Sequence, residues 1–241
     1  MNVSFRLIAC DYDGTIATDG AISPAVEPAM ARARQAGLSI GLVTGREFGD
    51  LRKVCPHLDM FDVVVAENGA VIYYPGTGVL ADLAPPPAPE FLVELRRNGI
   101  RFSAGRAIVG ISRAHEGVAR SMISKLGLQL DILLNRDSAM VLPAGVDKAT
   151  GLEHAASSLG IRMSEVVAIG DAENDLAFME ASGLSVAVSN AIDLVRAAAD
   201  VVADAPNGEG VARFICQLLL RSNPDYACED RPEAQDTVVT C

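Results

Sequence analysis

Residues 7–15 read LIACDYDGT, an apolar run that ends in two carboxylates separated by one residue. Four consecutive apolar residues predict a strand that is covered on both faces, as strands of parallel sheets are. Ligands bind outside the carboxyl ends of such strands, which is where Asp11 and Asp13 fall. Gly14 allows the chain to turn away directly after them. For this motif alone, an ordinary acidic turn is the competing interpretation.

Apolar runs of strand length alternate with helical segments at both ends of the chain. We predict further strands at residues 38–43, 63–66, 166–169 and 185–188, with helices between them. This alternation predicts an α/β fold, with a Rossmann-like parallel sheet core flanked by helices. A helix opening at Ser23-Pro24 is part of this prediction, and Pro28 either removes one hydrogen bond inside that helix or moves its start later.

The middle of the chain lacks this alternation of strands and helices. A proline-rich segment at 84–89 is typical of a junction between domains, and the order of helices and strands after it predicts a small inserted α+β domain. We therefore predict a core domain at residues 1–75 and 146–221, an inserted domain at 76–145, and a flexible C-terminal tail at 222–241.

Charge and hydropathy narrow the choice of partners. The 241 residues include 31 acidic and 20 Lys or Arg residues, which gives a formal net charge of −11. Nucleic acid and anionic membranes select clustered basic residues, so neither is a predicted partner. We find no apolar run of about 18 residues and only four apolar residues before Asp11, too few for a membrane span or a signal peptide. The expectation is a cytoplasmic protein, a monomer or weak homodimer, that binds a small molecule.

A second acidic loop follows another predicted strand. Residues 170–175 read GDAEND, directly after the apolar residues 166–169. Acidic residues in the first turn of a helix are also favoured by the helix dipole, which is the simpler interpretation of this loop alone. Two acidic loops at one sheet edge instead predict a hard cation such as Mg²⁺, which prefers oxygen ligands.

Two further positions suit a phosphate group. Thr44-Gly45 ends a predicted strand, where a hydroxyl and backbone N–H groups can donate to phosphate oxygens, although Thr-Gly turns are common. Lys148 is one of three lysines and lies at a predicted helix start, where the dipole disfavours an ammonium group. A nearby fixed anion would account for it, and a solvated lysine is the alternative.

Together these four segments resemble the haloacid dehalogenase superfamily of phosphohydrolases, and their order is similar to its Cof-type branch (class IIB cap). In that branch a cap domain is inserted between the second and third motifs. Residues 66–70, AENGA, are also typical of the branch, and the resemblance covers about residues 5–220. Members that are dehalogenases lack the second Asp of the first motif, so Asp13 favours phosphate-ester chemistry.

The resemblance implies a role for each motif residue. Asp11 would be the nucleophile, and Asp13 would protonate the leaving oxygen and then deprotonate the attacking water. Mg²⁺ would be bound by Asp11, the backbone carbonyl of Asp13, Asp171 and Asp175. The transferring phosphoryl group would be held by Thr44, Gly45, Lys148 and Asn174.

The resemblance therefore implies a Mg²⁺-dependent phosphatase that hydrolyses a small organic phosphomonoester, a sugar phosphate or a phosphoglycolate-like molecule, through an aspartyl-phosphate. The alternatives are a phosphotransferase or phosphomutase with the same nucleophile, or a non-catalytic regulatory domain of a longer protein. We expect Arg46 to pair with a nearby acid or to steady its loop. In the cap, Arg106, Arg113 and Arg136 are candidates for a substrate anion or for solvated surface.

Overall fold

The computed structural model describes residues 4–222, which form a large mixed sheet, a smaller antiparallel sheet and a two-stranded ribbon. In chain order the strands are β1 (Leu7–Asp11), β2 (Ala17–Thr18), β3 (Ala21–Ile22), β4 (Ser39–Val43), β5 (Val63–Ala66), β6 (Val71–Tyr74), β7 (Val79–Asp82), β8 (Phe102–Ala104), β9 (Val109–Ser112), β10 (Leu130–Asn135), β11 (Ser138–Pro143), β12 (Val166–Gly170), β13 (Leu184–Ala187) and β14 (Val201–Val202).

The helices separate these strands. They are α1 (Val26–Gln35), α2 (Phe48–Val54), α3 (Pro89–Arg97), α4 (Glu116–Leu126), α5 (Lys148–Ser158), α6 (Leu176–Glu180), α7 (Asp193–Ala198) and α8 (Asn207–Ser222). Helix α1 begins at Val26, later than Ser23-Pro24, which agrees with the alternative that Pro28 moves the helix start. Pro28 is then the third residue of the helix, where the missing N–H removes no intrahelical hydrogen bond.

The large sheet has the order β14-β13-β12-β1-β4-β5-β6-β7. Its first six strands are parallel, and β6 and β7 extend one edge as antiparallel strands. Strands β1, β5 and β12 are buried along their whole length, as strands covered on both faces must be. The predicted α/β fold with a parallel core sheet is confirmed.

The inserted domain is built on the smaller sheet, whose order is β10-β11-β9-β8. One face of this sheet packs on α3 and α4 through its own apolar cluster, which includes Phe91, Leu95, Ile111 and Val141. The other face turns towards the carboxyl edge of the large sheet. This is the small α+β domain that the sequence predicts.

The boundary of the inserted domain differs from the prediction at its first end. Residues 79–82, placed in the inserted domain on sequence, form β7 and pair with β6 in the large sheet. A hairpin after Tyr74 continues the core sheet, and the chain leaves the core only at the proline run, Pro85–Pro87. The division into two domains, with its second junction near residue 146, stays a proposal.

The remaining expectations concern the chain ends and membranes. The tail predicted at residues 222–241 lies outside the described residues, except for Ser222 at the end of α8. Within residues 4–222, the helices are too short or too polar to cross a bilayer.

Candidate active site

The parallel register brings three motifs to one edge of the large sheet. Strand β1 lies between β4 and β12, with Asp11 opposite Val43 and Cys10 opposite Ile169. Thr44 and Asp171 each follow one of these neighbouring strands, so they emerge beside Asp11. The sequence of the three strands is apolar up to this level, and the first polar side chains therefore appear together.

Lys148 lies at the centre of this edge. Its side chain is 1% exposed, and its Nζ donates to Asp11 Oδ1 and to Asp175 Oδ1, each at 2.5 Å. Burial alone would lower the pKa of Lys148, but the two carboxylates raise it above its usual value and keep the ammonium charged. The fixed anion that a lysine at a helix start requires is thus a pair of carboxylates.

Asp171 and Asp175 complete a buried acidic cluster with Asp11. One carboxylate oxygen from each of the three lies within 4.8 Å of the others. Asp171 Oδ1 accepts a hydrogen bond from Thr15 Oγ1 at 2.9 Å, and Asp175 Oδ2 accepts from the backbone N–H groups of Asp171 and Ala172. These bonds fix the loop after β12 in one conformation.

The acidic cluster is electrostatically costly. Burial, and then the charge of Asp175, raise the pKa of Asp11 well above its usual range, although Lys148 opposes this. The same two causes raise the pKa of Asp171. Because a nearby positive charge favours the carboxylate forms of Asp11 and Asp171, this cluster favours the binding of a cation.

Helix α5 places Lys148 as its first residue. The Asp147 side chain caps the helix by accepting from the Thr150 N–H, and the Thr150 hydroxyl reaches back to Asp147. The helix start then packs directly on the loop after β5. A Cβ at Gly151 would lie 2.4 Å from the Cα of Gly69, so the two backbones touch with no side chain between them.

Asp13 is separate from the acidic cluster. Its half-exposed carboxylate pairs with Arg46, with distances of 2.6 Å to Nε and 2.8 Å to Nη2. Arg46 also donates to Asp50 Oδ2 at 2.7 Å. Hydrogen bonding to Asp13 raises the pKa of Arg46 further above its ordinary value. The expectation that Arg46 pairs with a nearby acid is met, and Asp13 is that acid.

The predicted phosphate-binding residues Thr44 and Asn174 lie at the same edge. Thr44 is buried, and its hydroxyl accepts from the Arg46 N–H at 3.1 Å. Asn174 Nδ2 donates to Asn68 Oδ1 at 3.0 Å, whereas its own Oδ1 has no hydrogen-bond partner among the described residues. A Cβ at Gly45 would lie 3.5 Å from Asn174 Nδ2, so Gly45 joins this group.

A cavity of about 1050 Å³ separates this edge from the inserted domain. Asp11, Asp13 and Thr44 line it on the core side, and residues of the smaller sheet, both polar and apolar, line it on the other. The buried Lys148 lies behind Asp11. The cavity is large enough to admit a small organic molecule.

Sequence reasoning missed the contacts between the domains at two sites. Arg136, at the tip of the β10–β11 hairpin, donates to Asp171 Oδ2, and Arg113 pairs with Glu173 at 3.4 Å. On the opposite side, the carboxylate of Glu67 accepts a hydrogen bond from the backbone N–H of Ala107, in the β8–β9 hairpin of the inserted domain. An arginine between Asn135 and Asp137, two residues that favour turns, was the available sequence signal for the first site. The AENGA segment was the signal for the second.

Cys10 precedes the central carboxylate but faces the interior. It is fully buried, and burial followed by the charge of Asp11 raises the pKa of its thiol far above the usual range. The thiol is therefore protonated and serves as a small apolar strand residue.

Comparison with known proteins identifies the family. A family model described as haloacid dehalogenase-like hydrolase matches residues 8–104 and 132–215. The chain belongs to the haloacid dehalogenase-like hydrolases. The prediction of a phosphatase of this family is confirmed, and the inserted sheet is its cap domain.

Curated relatives and solved structures agree with this membership. The chain is 32% identical over 230 residues to a phosphoglycolate phosphatase of Methanopyrus kandleri, covering 88% of this chain and 97% of the relative. It is 33% identical to a phosphoglycolate phosphatase of Methanothermobacter thermautotrophicus, covering 89% and 99%. A Thermoplasma acidophilum protein has the same fold, with a TM-score of 0.79 at 21% identity over 90% of this chain and 99% of that one. A subclass IIB sugar phosphatase of the family gives 0.74 at 19% identity, covering 89% and 99%.

Proposed function

We propose that this chain hydrolyses a small organic phosphomonoester in a Mg²⁺-dependent reaction, through an aspartyl-phosphate on Asp11. The observation that carries the proposal is the buried ion pair of Asp11 with Lys148 at the wall of the cavity. The pair fixes one oxygen of Asp11 and leaves the carboxylate at the cavity wall. That is the arrangement a nucleophile for in-line attack on phosphorus requires.

The acidic cluster supplies the donors that a magnesium ion prefers. Asp11, Asp171 and Asp175 offer carboxylate oxygens within 4.8 Å of one another, and the backbone carbonyl of Asp13 follows in the same turn. Both oxygens of Asp175 also accept hydrogen bonds, one from Lys148 Nζ and the other from the Asp171 N–H, so this carboxylate is held in place beside the other two. When bound, the ion would neutralise charge on the phosphoryl oxygens.

In the first step we assign, Asp11 attacks phosphorus and the bond to the leaving oxygen breaks. Asp13 gives its proton to that oxygen, and in the second step it removes a proton from the water that cleaves the aspartyl-phosphate. The Asp13 carboxylate is ion-paired with Arg46 in this structure. The first step requires this pair to loosen, and the substrate phosphate is an anion that competes for Arg46.

Thr44, Gly45, Lys148 and Asn174 are the residues that we assign to the transferring phosphoryl group. They supply a hydroxyl, a backbone N–H, an ammonium and an amide along one edge. Such fixed donors stabilise charge that develops on the phosphoryl oxygens.

The lining of the cavity offers cations for a second anionic group of the substrate. Lys53 of α2 and Arg101 of the cap line it, together with the hydroxyl residues Ser103, Ser112 and Ser138 and the carboxylates of Glu47, Asp50 and Asp137. Cations and hydroxyls suit a carboxylate better than a neutral sugar ring. The curated relatives named above as phosphoglycolate phosphatases support a substrate of the phosphoglycolate type.

The test is release of inorganic phosphate from phosphoglycolate and a panel of sugar phosphates, with Mg²⁺ and with EDTA. We expect activity only with Mg²⁺, and its loss in Asp11→Asn but not in Asp193→Asn, the same change at a side chain that is 94% exposed. Full activity of Asp11→Asn would refute the nucleophile. Transfer of the phosphoryl group to a second organic acceptor instead of water would indicate a phosphotransferase or phosphomutase.

A further inference from the structure

Glu67 is a fully buried carboxylate of the core, in the turn after β5. Its oxygens accept four backbone hydrogen bonds. Three come from consecutive cap residues, Arg106, Ala107 and Ile108, at 3.0, 2.8 and 3.1 Å. The fourth comes from the N–H of Phe48, the first residue of α2, at 3.3 Å. Buried charges are stable only when they are fully hydrogen-bonded, and here backbone amides do this.

Both partners are shaped for this contact. Glu67 has φ of +52°, a conformation that non-glycine residues rarely adopt, and this directs its side chain at the cap. On the cap side, the β8–β9 hairpin approaches so closely that a Cβ at Gly105 would lie 2.5 Å from Glu67 Oε1. A strained residue on one side and an obligatory close approach on the other indicate a specific docking point.

The docking point connects to the phosphate-binding loop. The Glu67 N–H donates to the Arg46 carbonyl, and the Asn68 N–H donates to the Thr44 carbonyl, each at 3.0 Å. Ile108, held by the Glu67 carboxylate, lines the cavity. One side chain therefore joins the loop assigned to the phosphoryl group, the start of α2 and a cap hairpin that touches the substrate cavity.

We propose that Glu67 is a positioning residue that docks the cap hairpin at 105–108 on the core and so sets the closed cap around the substrate. The kinetic part of this inference rests on the proposed phosphatase activity. The docking itself does not, because hydrogen exchange measures it without substrate.

The test compares Glu67→Gln with Glu90→Gln. Glutamine keeps the size of the side chain but turns an NH₂ group towards N–H donors, so at least one backbone bond is lost. Glu90 is an exposed residue of the cap helix α3, so Glu90→Gln makes the same change in the cap but away from the docking point. Both variants keep the pair of Asp82 with the Arg106 side chain, whose two bonds of 2.5 Å also join the core to this hairpin.

We expect Glu67→Gln to speed amide exchange at residues 106–108 while β1 and the cap helices keep their protection. We also expect the ratio of kcat/KM for the best panel substrate to that for p-nitrophenyl phosphate to fall about tenfold, the effect of losing roughly one charge-assisted hydrogen bond. Glu90→Gln should leave both readouts within about twofold of wild type, because surface substitutions away from specific contacts change stability by less than about 0.5 kcal/mol.

Two results would overturn the proposal. One is unchanged exchange at 106–108 in Glu67→Gln. The other is an equal loss on both substrates with faster exchange throughout the core, which is the result for a residue that serves stability alone. Glu67→Asp, which keeps the charge but shortens the reach, provides the same comparison should Glu67→Gln not fold. If the wild-type chain hydrolyses no panel substrate, the proposed function fails, and exchange at 106–108 still decides the docking.

Discussion

Replacing Lys148 with methionine should destabilise the fold and make its stability depend on pH. The substitution keeps an unbranched side chain of similar length but removes the charge that pairs with Asp11 and Asp175. Removing one partner from a buried ion pair typically costs about 3–5 kcal/mol. For a chain of this size, each kcal/mol lowers the melting temperature by about 2–4 °C, so we expect a decrease of about 6–20 °C at pH 7.5.

The sign of the pH dependence follows from the pKa of Asp11. Burial and Asp175 already raise that pKa in the folded protein, and loss of Lys148 removes the opposing cause. A carboxyl group with a higher pKa in the folded than in the unfolded state binds more protons when folded. The stability of Lys148→Met therefore falls as the pH rises from the unfolded value of about 4 towards the folded pKa. Its deficit relative to wild type should shrink between pH 7.5 and pH 5.

Thermal unfolding followed by circular dichroism in EDTA measures both effects. Lys125→Met, the same change at an exposed position of α4, is the control and should melt within about 2 °C of wild type, as surface changes do. The reasoning is refuted if Lys148→Met melts within 2 °C of wild type at pH 7.5, a decrease below about 1 kcal/mol. A deficit that stays the same at pH 5 would refute the assignment of the cause to unpaired carboxylates.

Three further predictions concern packing and surface charge. Gly151→Ala should lower stability and activity together, because its Cβ would meet the Gly69 backbone. Gly117→Ala in α4 meets nothing within 4 Å and should raise stability by roughly 0.5–1 kcal/mol. A change in stability of the same sign for both variants in urea unfolding would contradict this prediction. Phe91→Ala should cost about 3–5 kcal/mol and release amide exchange in the cap sheet before β1; uniform release would show that the cap does not unfold separately. Hydrogen bonds from the backbone and side chain of Ser185 lower the pKa of Asp200. The stability that this carboxylate adds should therefore be present above about pH 4 and lost as the pH falls through the pKa of the folded state. If Asp200→Asn destabilised the protein as much at pH 3 as at pH 7, this prediction would be wrong.

The core of the site was predictable because it depends on strand ends. Asp11, Thr44 and Asp171 each follow an apolar run, and a parallel sheet brings such ends to one edge whatever the loops do. Lys148 was also identifiable, since an ammonium at a helix start has to be explained by an anion nearby. These inferences need only local patterns and one rule of topology.

What could not be predicted depends on contacts between distant segments. Glu67 binds backbone N–H groups some forty positions away, and backbone groups carry no sequence signal of their own. Arg136 could be proposed as a cap arginine, but its contact with Asp171 depends on the angle at which the cap meets the core. Strand β8 was missed because three residues are too few to show a period. Strand β7 was missed because the boundary was placed at residue 76, before the proline run at which the chain leaves the core.

In the cap sheet, residues that line the cavity alternate along one strand with residues that stabilise the cap through its apolar cluster. In β11, Ser138 and Met140 line the cavity, while their neighbours Ala139 and Val141 lie in the apolar cluster under the helices. Because successive side chains point to opposite faces of a strand, natural selection can act on the cavity-facing positions for ligand binding and on the helix-facing positions for stability independently. Substitutions at the cavity-facing positions could therefore change the substrate during evolution without unfolding the cap. A mutant library restricted to those positions should consist largely of folded proteins that differ in what they hydrolyse.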